Sequence, residues 1–192
     1  MKNRNYNFIF VLECISNIDD TDVADILFES GCDDATLSVR DQVAYLEFDR
    51  KSNSLQEAIV SALTNVLDAD IGVRVNAIDP GDYVTSAEIA RRINKTRQYI
   101  QKLKTGKDDS NIFPAPIAGL QSGTLIYSWS RISFYFYGME KYINREDLLN
   151  AQLLKIFNDI LESNQYLNKT QTDRHILRKF QNPKIFEQIV YP

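Results

Sequence analysis

Residues 84–107, VTSAEIARRINKTRQYIQKLKTGK, read as a helix, a tight turn and a second helix. Thr85 and Glu88 have the spacing of a capping box, which marks the first helix start. Ile89, Ala90 and Ile93 form its inner face, with Ala90 small enough for a second helix to cross closely. Asn94-Lys95 is the turn, because asparagine tolerates the left-handed backbone that a sharp turn needs. Thr96 is a good cap for the second helix, and Ile100 and Leu103 lie on its buried stripe. Gly106, just past the end, fits a left-handed terminating cap. The opposite face carries Arg97, Gln98, Gln101 and Lys102. Seven Lys/Arg stand in this stretch against one acid, Glu88, whereas the whole chain has a net charge of -4. A basic helix pair inside an acidic chain points to a polyanion, duplex DNA first. The bland alternative is an ordinary helical hairpin with a solvated basic face.

The next residues continue the pattern. Phe113-Pro-Ala-Pro-Ile117 is extended, since each proline pushes its predecessor out of helical geometry. Residues 119–123 form a turn, and residues 124–129 alternate like a strand. Ser130 then caps a short aromatic helix over residues 131–137. Helix, turn, helix, hairpin, helix is the order of a winged helix-turn-helix, whose second helix enters the major groove. On Phe113, Pro114, Pro116, Trp129 and the helix from Ser130, the chain resembles the excisionase/AlpA and MerR-like winged-helix proteins.

A wider resemblance covers roughly the first 138 residues. Gly31-Cys-Asp-Asp-Ala-Thr36, Phe48-Asp-Arg50, Ser54-Leu-Gln-Glu-Ala-Ile59, Glu88-Ile-Ala-Arg91 and Phe113-Pro-Ala-Pro116 look like a bacterial family of helix-turn-helix DNA-binding proteins. The resemblance implies DNA binding and names no regulon. The chain departs from the family at Lys107-Asp-Asp-Ser-Asn-Ile112, where a Gly-Pro-Gly-like approach is usual, and Asp108-Asp109 disfavours close phosphate contact there.

Charge divides the chain. Residues 1–82 hold six bases and sixteen acids, while residues 83–192 hold sixteen bases and ten acids. The acidic part is expected to point away from a duplex. Its order is readable. Residues 6–14 are an apolar, β-rich central strand. Residues 20–30 have Val23, Ile26 and Leu27 at helical spacing, stopped by Gly31. Residues 35–39 and 43–48 flank the turn Arg40-Asp41-Gln42. Ser54 with Glu57 opens a helix whose inner face is Leu55, Ala58, Ile59, Ala62, Leu63 and Val66. Residues 71–78 alternate like a last strand, and Asp79-Pro80-Gly81-Asp82 is a break and linker. The order βαββαβ predicts a ferredoxin-like sandwich over residues 1–80, suited to dimerisation first and small-ligand sensing second. The fold class expected is therefore α+β: this domain, a winged helix-turn-helix over 83–138, and a helical extension over 139–192. In the extension, residues 146–163 place Leu149, Leu153, Ile156, Phe157 and Ile160 on one stripe. A second helix is expected over 172–181 and a further helical piece over 184–191. These helices either cover the winged domain's core or form a dimer interface.

At 192 residues and 44% hydrophobic content, the chain is long enough for a sizeable core. No segment approaches the ~20 apolar residues of a membrane span, and the apolar run from Phe8 to Leu12 is too short for a secretion signal. Two cysteines without a disulfide framework fit a reducing cytosol, so the expected location is cytoplasmic and nucleoid-associated. Catalytic chemistry is thin. His175 is the only histidine and reads as a helix-surface residue. No zinc spacing and no Gly-rich phosphate loop is present. Cys32-Asp33-Asp34 beside Asp19-Asp20 offers metal-type ligands, but a helix stop, a small buried thiol and solvated acids explain them better. Asp49-Arg50 reads as a surface ion pair, a helix-approach contact or part of a ligand site, the structural options leading. The chain is expected to be no enzyme and to need no cofactor or metal.

The expected function is a sequence-specific regulator that binds double-stranded DNA as a homodimer. Arg97, Gln98, Gln101 and Lys102 would read base edges, Arg and Lys suiting guanine and Gln suiting adenine. Arg92, Lys95, Thr96, Lys104 and Lys107 would sit at phosphates. Gln121 and Ser122 would form the wing tip. Tyr99 either packs inward or reaches DNA. The alternative is a module that binds a protein partner, as an antitoxin or an adaptor of a mobile-element or phage-related system, with autoregulatory DNA binding.

Overall fold

The structure, a computed structural model, describes residues 3–14, 21–41, 43–106 and 112–167. Lys107, Asp19-Asp20, Asp108-Asp109, Gln42, His175 and the helices expected over 172–181 and 184–191 lie outside the described residues. The fold is mixed α+β. Strand β1 (Arg4–Cys14) leads to α1 (Thr21–Glu29), β2 (Ala35–Arg40), β3 (Val43–Ser52), α2 (Leu55–Asp68) and β4 (Val73–Asp79). These strands form one antiparallel sheet in the order β2-β3-β1-β4.

Period-two alternation along β1 explains its central place. Tyr6, Phe8, Phe10 and Leu12 are buried on the helix-covered face, and Ile9 and Val11 are half-buried on the other. Phe8 stacks on Phe48 at 5.0 Å and Phe10 meets it edge-on at 5.1 Å. The inner face of α2 is the expected one, with Leu55, Ala58, Ile59, Ala62 and Val66 buried and Leu63 partly so. Gly31 ends α1 at φ +93°, where its amide donates to the Phe28 carbonyl and that of Cys32 to Leu27. This double bond pattern is why a glycine follows the helix.

Strand β3 runs four residues beyond the expected end at Phe48, so Asp49-Arg50 lies inside it. Pleat parity then turns Arg50 inward beside Leu46 and Phe48, at 7% exposure. Its Nε and Nη2 donate to the Asp34 carboxylate at 2.8 and 2.7 Å. Nη1 donates to Asn65 Oδ1 and Ser61 Oγ, and Nη2 also to the Gly31 carbonyl. Asp34 is thus an arginine partner. Burial pushes the Cys32 thiol up from its ordinary range. Among the described residues no group of three His, Cys, Asp or Glu is placed to hold a metal.

The segment after β4 is more than a linker. It contains a cis Asp79-Pro80 bond, and Asp82 is buried. It leads directly into β5 (Tyr83–Thr85), α3 (Ser86–Arg92), α4 (Arg97–Thr105), β6 (Ile126–Ser128), α5 (Trp129–Gly138) and α6 (Arg145–Leu167). A second core gathers Val84, Ile89, Ala90, Ile93, Ile100, Tyr127, Ile132 and Phe136.

Helix α6 joins the two cores. Leu148 packs into the second, whereas Leu154 packs into the first with Leu153, Phe157 and Leu161 at its border. Asn158 accepts from the Ile78 amide at 2.8 Å and donates to the Ile78 carbonyl at 2.9 Å. The helix therefore caps the free edge of β4, which would otherwise expose unpaired backbone groups. Of the expected stripe, Leu153 and Phe157 pack as expected, and the rest needs correction. Leu148, Ala151 and Leu154 face inward, while Leu149, Ile156 and Ile160 are exposed. The helix carries two apolar stripes of similar period, and periodicity alone does not say which one packs. No helix of the described residues is long and apolar enough to cross a membrane.

Candidate nucleic-acid interface

Helices α3 and α4 are set by local chemistry. Thr85 Oγ1 accepts from the Glu88 amide, and Thr96 Oγ1 from the Tyr99 amide. Between the helices Asn94 sits at φ +53°, with its amide donating to Arg91 and that of Lys95 to Ala90. This is the double-bonded helix stop that asparagine can enter. Ile100 is fully buried and Leu103 half-buried, which holds α4 against α3. Arg97, Gln98, Gln101 and Lys102 all lie on the exposed face. Gly106 differs from expectation: at φ -66° and ψ 134° it is extended, so α4 ends without a left-handed cap.

The hairpin beside the helix pair is short. Strand β6 pairs with β5, and Ala118 bridges Ile126. Regular strand covers only 126–128 of the expected 124–129, and Trp129, whose amide donates to the Asp82 carbonyl, is already the first residue of α5. The α5 cap is Ser128, whose Oγ accepts from the Arg131 amide. The Ser130 amide instead donates to Asp82 Oδ1 at 2.7 Å. Gly119 takes φ +88°, and a Cβ there would lie 1.8 Å from the Thr124 carbonyl oxygen. Gln121 and Ser122 are exposed at the tip, with Ser122 Oγ donating to the Gly119 carbonyl. Phe113 of the Phe-Pro run stands edge-on to Tyr127 at 5.7 Å and to Tyr135 at 5.3 Å, which ties the hairpin to the core.

The cations differ in how free they are. Lys95 is exposed, with Nζ 5.1 Å from the Tyr142 ring centre. Thr96 is exposed at the N-terminus of α4. Lys104 reaches back, donating to Ser86 Oγ at 3.2 Å and lying 5.0 Å from the Tyr127 ring centre. Arg92 is turned inward: its side chain is 13% exposed and its Nε donates to Glu88 at 2.8 Å. Its guanidinium lies 4.9 Å from the Trp129 ring centre and bonds the Gly81 carbonyl. Arg92 is a strut between α3, the start of α5 and the segment after β4. The i,i+4 spacing from Glu88 is the signal in the sequence for this pairing. Arg91, exposed, also holds Glu88. Together, Arg91 first and Arg92 next, they pull the Glu88 carboxyl down to about 2. Tyr99 packs inward, edge-on to Tyr142 with the hydroxyls 3.3 Å apart. That bond pushes its phenol up to about 12.

Asp82 and the Arg92–Trp129 contact escape a reading of the sequence, since their partners lie 48 and 37 positions away. The geometry brings a cationic and amide-bearing helix face, a helix N-terminus and a hairpin tip to one module. Comparison with models of protein families, with curated proteins and with solved structures gives no match.

Proposed function

We propose that this chain is a sequence-specific double-stranded DNA-binding protein, a transcriptional regulator in which a ferredoxin-like domain precedes a winged helix-turn-helix. The observation that carries this reading is the exposed face of α4, where Arg97, Gln98, Gln101 and Lys102 stand together while Ile100 packs beneath. Two residues of this face suit guanine and two suit adenine in the major groove. Lys95, Thr96, Lys104 and Lys107 contact phosphates and set register, with Arg92 bracing the module from behind. Gln121 and Ser122 of the wing touch the flanking backbone. One such module binds modestly, so a symmetric pair reading two half-sites is part of the proposal. The outward faces of α1 and α2 leave Phe28 and Leu67 exposed, which supports pairing through the first domain.

Selection of bound sites from random duplexes, with solution mass measured in parallel, tests this directly. An inverted repeat and a dimer mass are expected. Arg97→Ala with Gln101→Ala is expected to relax base preference by roughly tenfold to a hundredfold. Lys95→Ala is expected to weaken all duplexes alike and to lower the salt slope by about one. No enriched site, or equal losses on every duplex from both variants, refutes the assignment.

A further inference from the structure

We infer, on the reading that α4 enters a duplex, that the loop between α5 and α6 is a second flank of the same interface. In it Lys141 is a further phosphate contact and Tyr142 is the positioning residue for Lys95. The loop is firmly built. After α5 ends at Gly138, the Glu140 amide donates to the Tyr137 carbonyl at 2.9 Å and that of Lys141 to Phe136 at 3.0 Å. Buried Ile143 anchors the far side, its amide donating to the Lys141 carbonyl at 2.7 Å. Glu140 and Tyr142 take φ +54° and +62°. A left-handed backbone is an outlier for a bulky side chain and persists only where the surroundings over-determine it. Those surroundings belong to the helix pair. The Tyr142 ring stands edge-on to Phe136 at 5.4 Å and to Tyr99 at 6.0 Å, and its hydroxyl donates to that of Tyr99 at 3.3 Å. The Lys95 ammonium lies 5.1 Å from the same ring, within cation–π range. One strained residue thus ties the loop both to the turn before α4 and to the first turn of α4. Holding the Lys95 side chain near one position reduces the rotamer freedom it loses on meeting a phosphate.

Placement and charge select the role of Lys141. Tyr99 and Lys104 lie about 140° apart around α4, on either side of Ile100. Lys104 meets Ser86 and Tyr127 on the hairpin side, whereas Tyr99 meets the loop. Helix α4 therefore stands between hairpin and loop, and a duplex that receives its exposed face passes both. Lys141 is exposed and adjoins the residue whose ring carries Lys95. A duplex presents one charge per ~1.7 Å of its axis, so a cation at this place meets phosphate. The nearby acids are occupied elsewhere. Glu140, the loop's one acid, lines a small cleft with Tyr137, Gly138 and Ile143. Glu146 pairs with Arg4, and Asp147 accepts from the Asn144 amide.

The salt dependence of binding to a duplex of mixed sequence provides the test, because phosphate contacts are independent of sequence. Lys141→Ala is expected to lower the slope by about one. Arg40→Ala, which removes an exposed cation of the first domain, is expected to keep it. Tyr142→Phe retains the ring and is expected to bind like the native chain. Tyr142→Asn retains a side chain that tolerates the left-handed backbone but lacks the ring. It is expected to bind roughly threefold more weakly, with Lys95→Ala costing less in that background than in the native chain. A slope unchanged by Lys141→Ala, in a chain whose slope falls with Lys95→Ala, overturns the loop contact. Equal binding by Tyr142→Phe and Tyr142→Asn, or fully additive losses with Lys95→Ala, overturns the positioning role. Absence of duplex binding by the native chain at every salt concentration overturns the α4 reading along with both, so the two failures are distinct.

Discussion

Arg92→Met separates a structural arginine from a phosphate-binding one. Methionine keeps much of the apolar stem contact and removes the guanidinium. Three interactions go with it. The Glu88 pair, at 2.8 Å and largely shielded, is worth about 0.5–1 kcal/mol. The contact over Trp129 at 4.9 Å, on a side chain only 13% exposed, is worth about 1–2 kcal/mol. The Gly81 carbonyl, bonded at 3.3 and 3.4 Å, loses a weak partner and costs under ~1 kcal/mol. The loss expected is about 2–3 kcal/mol, because the terms share one side chain and overlap. Urea unfolding followed by fluorescence measures it well, since Trp129 is the sole tryptophan and lies under the missing group. The denaturant midpoint is expected to fall with an unchanged slope. The salt dependence of duplex binding is expected to keep its slope. A loss below ~0.5 kcal/mol together with a salt slope lower by about one refutes the strut and makes Arg92 a phosphate contact.

Arg50→Met is expected to cost about 3–5 kcal/mol, because it strands the Asp34 carboxylate and the Asn65 and Ser61 side chains; adding Asp34→Leu recovers part of it, and a double-mutant cycle from chemical denaturation reads the coupling. Gly119→Ala forces the hairpin apart from the Thr124 carbonyl and is expected to cost more than ~2 kcal/mol, read as faster amide exchange at Ile126. Gly123→Ala is the control, since φ +75° is strained there but nothing lies within 4 Å, and ~1 kcal/mol is expected. Glu88 titrates near 2 when folded, depressed by Arg91 and then Arg92, against an ordinary 4.5. Its stabilisation of about 1 kcal/mol is therefore present above pH 4.5 and lost as pH falls toward 2. The stability gap between the native chain and Glu88→Gln, measured across that range, is expected to close at the acid end.

Local chemistry was legible in the chain itself. Thr85, Thr96 and Ser54 cap their helices, and Asn94 and Gly31 occupy the left-handed stops. The period of α2 named the residues that pack, and the apolar, β-rich run of β1 marked a central strand. These features depend on neighbours within four residues, whose hydroxyl, amide and apolar groups interact whatever the rest of the chain does. The exposed face of α4 belongs to the same class, because burying Ile100 and Leu103 on one side leaves Gln98 and Lys102 on the other.

Tertiary structure decided which of two equally possible local arrangements is used. Pleat parity in a strand longer than its apolar run carried Arg50 inside, and only Asp34, Asn65 and Ser61 from other elements make that position tolerable. Asp82 drew the amide of Ser130 and left Ser128 to cap α5. The α6 stripe on Leu148 and Leu154 won over the one on Leu149 and Ile156 because Asn158 binds the edge of β4. A chain carries the hydrogen-bonding capacity and apolar area of each residue, but the partner that satisfies a distant group exists only once the elements meet.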